Sequence, residues 1–369
     1  MNKNDTFLQL LKAGLWGTSL DLSMFSAEID WDGVYQLAQE QAVLGLVTEG
    51  ISQLPREKQG RRQLMLQFYK KTAEIEDENK KMNAFVPYLI SQLERMGVQA
   101  VLLKGQGVAA NYMNPLRRAV GDIDLLITGD GQYERAKKLM ERIAVLNEED
   151  IKRKHAAFLY KELVVEIHGD FRFLVNKKCF RNIEQWKQKR LCEKARIISN
   201  ENVGGLVVPS VQFDSIFIFA HMLGHLMGSG GVGLRQVSDW MMFVNKYYDE
   251  IDLKALEDDL VLLGLRDYWQ AFGTVAVHEL GYPVERMPFY DEKLIGKGKR
   301  ILRLILYTGN FGTRQKVNQL DNNANVILKK MVTLLGQLPI YVKKLFVFPK
   351  DTIWCFGQYI RLALRGYQS

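Results

Sequence analysis

Residues 97–129 read GVQAVLLKGQGVAANYMNPLRRAVGDIDLLITG. A short apolar run, VQAVLL (98–103), ends in Lys104 and Gly105. Small residues follow, then Arg117 and Arg118, then DIDLLI (122–127), where two aspartates interrupt a second apolar run. Successive side chains of a strand point to opposite faces, so Asp122 and Asp124 share one face while Ile123 and Leu125 share the other. LVVEIH (163–168) repeats the arrangement, with Leu163, Val165 and Ile167 on one side and Val164, Glu166 and His168 on the other. If the two strands are neighbours, Asp122, Asp124 and Glu166 converge.

Working outward, QGVAANYM (106–113) reads as a short helix and QYERAKKLMERIA (132–144) as an amphipathic one. HAAFLYK (155–161) pairs with LVVEIHGDF (163–171) as an antiparallel hairpin, which makes a small α/β core from 97 to 175. Residues 1–96 carry three- and four-residue apolar spacing and read as an N-terminal helical region. Its charged stretch KKTAEIEDENKKMN (70–83) fits a solvated helix face with i to i+4 ion pairs. From 176 to 369 helical patterns return as a C-terminal lobe, with GSGGVG (228–233) breaking two of the helices apart.

Three clustered carboxylates repel one another, and a divalent cation relieves that repulsion. Hard oxygen donors suit Mg²⁺ or Mn²⁺, so Asp122, Asp124 and Glu166 are the candidate catalytic and metal-binding residues. A lone D-x-D also occurs in turns and caps; the strand-like flanks and the second acidic strand are what favour the metal. Gly105 and Gly107 allow tight turning, and exposed N–H groups at a helix start favour phosphate. Lys104, Gly105, Gln106, Arg117, Arg118 and Arg235 are therefore the candidate nucleotide-binding residues. The turn does not match a P-loop.

Other residues read less sharply. His221 and His225 are spaced for one helix face, but a zinc site needs a third ligand, and Asp239 could serve only if the fold brings it close. Packing or hydrogen bonding fits them better. Arg235 and Asp239 are spaced for an intrahelical ion pair, the alternative being contact of Arg235 with phosphate or acceptor. His168 is placed to orient Glu166, the alternative being a partly buried histidine with no such task.

The formal net charge of +8 favours anionic ligands without choosing among them. Hydrophobic residues at 47% and charged residues at 25% fit a folded globular chain. Cys179, Cys192 and Cys355 form no C-x-x-C pair, which argues against a thiolate zinc site and suits a reducing compartment. No apolar run approaches the ~20 residues needed to span a bilayer, and the expected location is cytoplasmic. The aromatic and basic segment from Leu338 onward reads as an amphipathic helical cap, with membrane-surface or nucleic-acid contact as the lesser alternative.

The motifs LLKGQGVAANY, RRAVGDIDLLI and VVEIHGDF resemble those of the nucleotidyltransferase superfamily with a polymerase-beta-like core, and more narrowly an uncharacterised nucleotidyltransferase family of bacterial proteins. HMLGHLMGSGGVGLRQVSDW resembles a further stretch of that family. The resemblance implies an α+β fold: a small mixed β-sheet nucleotidyltransferase core flanked by N-terminal helices and a C-terminal helical lobe. It implies transfer of NMP from an NTP such as ATP to an acceptor hydroxyl, with Mg²⁺ or Mn²⁺ as cofactor. Asp122 and Asp124 would bind the metals, Glu166 would be the third carboxylate, and Gly105 would sit at the triphosphate turn. Many active members have serine after that glycine; here Gln106 stands there, which leaves phosphate to the backbone, Lys104 or an arginine. The acceptor is open: small molecule, sugar, protein or RNA. A non-catalytic nucleotide-binding module on the same fold is the second reading, and a D-x-D glycosyltransferase the third.

Overall fold

The computed structural model describes residues 3–25, 29–151, 154–200, 203–228, 231–312 and 338–365. Of the glycine-rich break, Ser229 and Gly230 lie outside the described residues. At its centre is a five-stranded sheet in the order β1-β2-β5-β4-β3. The strands are β1 (Ala100–Leu103), β2 (Ile123–Ile127), β3 (Val145–Asp150), β4 (His155–Tyr160) and β5 (Leu163–His168). β2 and β5 run parallel and every other pair is antiparallel, so the sheet is mixed. The parallel pair needs a crossover. The chain supplies it through helix α6 (Gln132–Ile143) and the β3–β4 hairpin.

Alternation decides the faces. Ile123, Leu125, Ile127, Val165 and Ile167 are all buried and form one core with Tyr133, Ala136 and Met140 of α6. Helix α4 (Arg62–Arg95) completes that core with Met82, Val86, Leu89 and Leu93. The helix has 34 residues, about 50 Å at 1.5 Å per residue. Its first half sends Leu64, Phe68 and Ile75 into a second core, so one helix ties the sheet to the helical body. Its charged stretch carries exposed ion pairs, Lys71–Glu74 at 2.9 Å and Lys81–Asp77 at 2.9 Å.

That second core joins both ends of the chain. Helices α1 (Lys3–Trp16), α2 (Trp31–Glu40) and α3 (Leu44–Ser52) pack in it with α7 (Lys177–Arg190), α8 (Val211–Met227) and α9 (Leu234–Tyr247). Helices α10 (Leu253–Leu263), α11 (Arg266–Leu280) and α12 (Ile295–Thr308) complete it. The Trp16 indole donates to the Leu280 carbonyl at 2.6 Å, fixing α1 to the end of α11. A last helix, Pro349–Arg365, follows.

Two elements differ from the sequence reading. β3 is an edge strand of mostly exposed residues, VLNEED, with no apolar alternation to betray it; its partner β4 defines it. The lobe also holds a hairpin, β6 (Arg196–Asn200) with β7 (Val203–Val208), where helix was expected. Its Leu206 and Val208 are buried against the sheet core, which holds this short segment extended. No helix among the described residues is long and apolar enough to cross a membrane.

Candidate active site

The polar face of β2 and β5 opens into a cleft of roughly 140 Å³ beneath α8 and α9. Asp124 and Glu166 are register partners across the parallel pair, so their side chains stand on adjacent strands on the same face. Asp122 precedes β2 and is exposed, while Asp124 is buried. All three line this cleft, together with Lys104, Gly105 and Arg235.

Lys104 directly follows β1 with φ +53° and ψ −142°, a conformation costly for a residue with a Cβ. Gly105 follows at φ +50°, where glycine is at ease. This sharp turn starts the short helix α5 (Gly105–Ala109) and aims Lys104 across the cleft. Its Nζ lies 3.1 Å from Asp124 Oδ2 and 2.8 Å from His221 Nε2. Asp124 Oδ1 lies 3.1 Å from His168 Nε2.

The electrostatics follow from these contacts. Asp122 is exposed at the cleft mouth, yet the surrounding protein strips part of its hydration, which pushes its carboxyl up, and repulsion from Glu166 and Asp124 adds to the rise. Burial opposes charge on Asp124 as well, but Lys104 and His168 outweigh it and hold that carboxyl below its usual range. Glu166 is likewise lowered, with contacts from His155 and His168 overcoming its burial. Burial opposes charge on His168, yet Asp124 and Glu166 raise its pKa. The face is thus an alternating set of acids and bases around Asp124, with Asp122 the least compensated acid.

Arg235 projects from α9 and donates to the carbonyl oxygens of Ala119 at 3.3 Å and Val120 at 3.0 Å. Among the described residues its buried Nε has no hydrogen-bond partner. The Arg235 guanidinium lies 5.9 Å from the centre of the Phe311 ring. The intrahelical Arg235–Asp239 pair expected from spacing is replaced by a longer-range one. Asp239 instead accepts from Arg118 Nε at 2.6 Å and Nη2 at 2.8 Å, and from the Tyr112 hydroxyl at 2.7 Å. Arg118 therefore lines the cleft but is spent on a buried bidentate pair.

Two of the expected binders sit elsewhere. Arg117 faces away from the cleft and pairs with Glu49 and with Glu76 at 3.0 Å, tying the loop to α3 and α4. Gln106 is buried and donates to Asn83 at 2.5 Å and Asn79 at 3.3 Å on α4. Both are drawn to α4, whose polar inner residues no local spacing could pair with them.

Beyond Asp124 lies a second chamber of roughly 300 Å³, lined in part by His155, His168, Arg172 and Phe173. It shares Lys104, Asp124 and His221 with the first. His221 Nε2 is 3.3 Å from His225 Nε2, and no third ligand joins the two among the described residues. His155 and Phe311 escaped the sequence reading; the β4–β5 register could have found His155, since it stands opposite His168.

The family model described as uncharacterised nucleotidyltransferase matches residues 27–281 of the chain, which spans the sheet, the helices α8 and α9 above it and the cleft except for Phe311. No curated protein matches the chain.

Proposed function

The chain belongs to the uncharacterised nucleotidyltransferase family, and we propose that it transfers NMP from an NTP to an acceptor hydroxyl, releasing pyrophosphate. The observation that carries this reading is the register of Asp124 with Glu166 across β2 and β5, with Asp122 in the same cleft. The donor set suits a hard cation: oxygens only, crowded enough that the Asp122 carboxyl is raised. Asp122, Asp124 and Glu166 would hold Mg²⁺ or Mn²⁺, which supplies Lewis-acid charge for the triphosphate and the acceptor oxygen when bound.

The chain's own groups have distinct tasks. Lys104 holds Asp124 ionised and brings a positive charge to the cleft floor. Gly105 lets the backbone approach the triphosphate. Arg235 offers a guanidinium from the lobe side whose Nε is unpartnered among the described residues. His168 orients Asp124 and Glu166 together. The division into 1–96, 97–175 and 176–369 assigns NTP to the junction of the second and third parts.

Asp124→Asn is expected to lower Mg²⁺-dependent pyrophosphate release by ~10³-fold or more while circular dichroism is unchanged. Turnover close to the parent would remove the assignment. A second reading rests on Gln106, a buried amide side chain at the glycine turn where a serine would bring a hydroxyl. It is a non-catalytic nucleotide-binding module, for which calorimetry would register NTP binding without pyrophosphate release for any acceptor.

A further inference from the structure

We propose that His155, Glu166 and His168 form a binding site for a divalent transition metal of the zinc type. His155 on β4 and His168 on β5 are register partners, and Glu166 stands two residues before His168 on the same face. The Nε2 atoms of both histidines converge on one oxygen, Glu166 Oε2, at 3.3 Å from His155 and 3.4 Å from His168. Ligand atoms of the three residues all lie within 4.8 Å of one another.

The separations suit a bound ion. A charge-assisted N–H···O bond closes to ~2.7–2.9 Å, so contacts of 3.3 and 3.4 Å are long for hydrogen bonds and leave room for an ion to draw the three groups in. These two of the three ligand–ligand edges also match a ligand tetrahedron. Bonds of ~2.0–2.1 Å to nitrogen and oxygen set ligand–ligand edges of ~3.3–3.4 Å. Two imidazoles and one carboxylate also select zinc-type ions over Mg²⁺, which favours an all-oxygen shell. Three protein ligands leave one position for water or an exogenous ligand. Access is provided by the roughly 300 Å³ chamber, which His155 and His168 both line.

The site shares Glu166 with the transfer reading but does not require it. Both histidine contacts use Oε2, and Glu166 also lines the smaller cleft with Asp122. One carboxylate thus stands between a nitrogen-rich position and an oxygen-rich one. The other neighbours of His168 are Asp124 Oδ1 at 3.1 Å and, through the second oxygen of Asp124, the Lys104 ammonium at 3.1 Å.

The test uses the full chain. The protein is stripped with a chelator, loaded with Zn²⁺ in excess Mg²⁺, desalted, and its metal content measured. About one Zn²⁺ per chain is expected, and Co²⁺ loaded in its place should show the visible absorption of a four-coordinate site. No retention by the parent chain overturns the proposal, as does equal retention by a His155→Ala/His168→Ala double variant. His155→Asn and His168→Asn should each weaken Zn²⁺ binding by more than the ~10–100-fold that loss of an outer partner costs. Asp122→Asn should keep Zn²⁺ while losing Mg²⁺-dependent transfer. Zinc retention without any transfer would sink only the transfer reading; transfer without zinc retention would sink only this one.

Discussion

Gln106 follows the glycine turn directly, yet its amide points into the protein and meets Asn79 and Asn83 of α4. Its role is to hold the turn against the long helix. Gln106→Ala leaves the asparagines short of a buried partner and is expected to cost about 1–3 kcal/mol in urea unfolding. Calorimetric NTP binding should not change; a large loss there would put Gln106 back among the phosphate contacts. His225 supports a pH prediction. Burial, and then Lys104, hold it down at about 4, against ~6.5 in the unfolded chain. The unfolded chain therefore takes up the proton first as pH falls. The stability contributed by neutral His225 is complete above ~6.5 and is lost as pH drops toward 4. Between pH 7 and 5 the loss is about 1–2 kcal/mol. His225→Asn should flatten the pH dependence of the urea midpoint by that amount, and an unchanged slope would show that the histidine is not buried neutral.

Among the elements, α1 and α3 cross closely enough that two glycines meet backbone. A Cβ on Gly14 would lie 1.9 Å from the Leu46 carbonyl oxygen, and one on Gly50 would lie 2.1 Å from that of Leu10. Neither neighbour is a side chain that could swing aside. Gly14→Ala must separate the helices and is expected to cost about 1–3 kcal/mol, read as a lower melting temperature. An Ala variant as stable as the parent would mean that the crossing is looser than this. The strands were legible for the opposite reason, since alternation is a local property. Ile123, Leu125, Val165 and Ile167 announce a buried face whatever surrounds them. β3 and the β6–β7 hairpin were not legible, because their extended state comes from the partners they pair with or lie against.

Across the whole molecule, Arg118 and Asp239 join the loop before β2 to α9 of the lobe. The pair is almost wholly buried, with side-chain exposures of 4% and 10%, and its geometry is bidentate. Burial opposes both charges, and each partner stabilises the other in compensation. Asp239→Ala strands a buried guanidinium and is expected to cost about 3–5 kcal/mol in urea unfolding. Arg118→Met combined with Asp239→Leu should recover much of that loss. No recovery would mean that the pair does more than satisfy itself.

The chain determined by itself whatever depends on near neighbours. It marked the strands that carry Asp122, Asp124 and Glu166, the glycine turn at Lys104, the α+β class and the family resemblance. Alternation and turn chemistry act over a few residues, so they can be read in one dimension. The tertiary structure alone decided which charges are free for a ligand. Arg117 and Arg118 are adjacent and chemically identical, yet one is drawn to Glu49 and Glu76 and the other to Asp239. Their partners come from three different helices, and no sequence spacing records which carboxylate will stand within reach of a given guanidinium once the helices have packed.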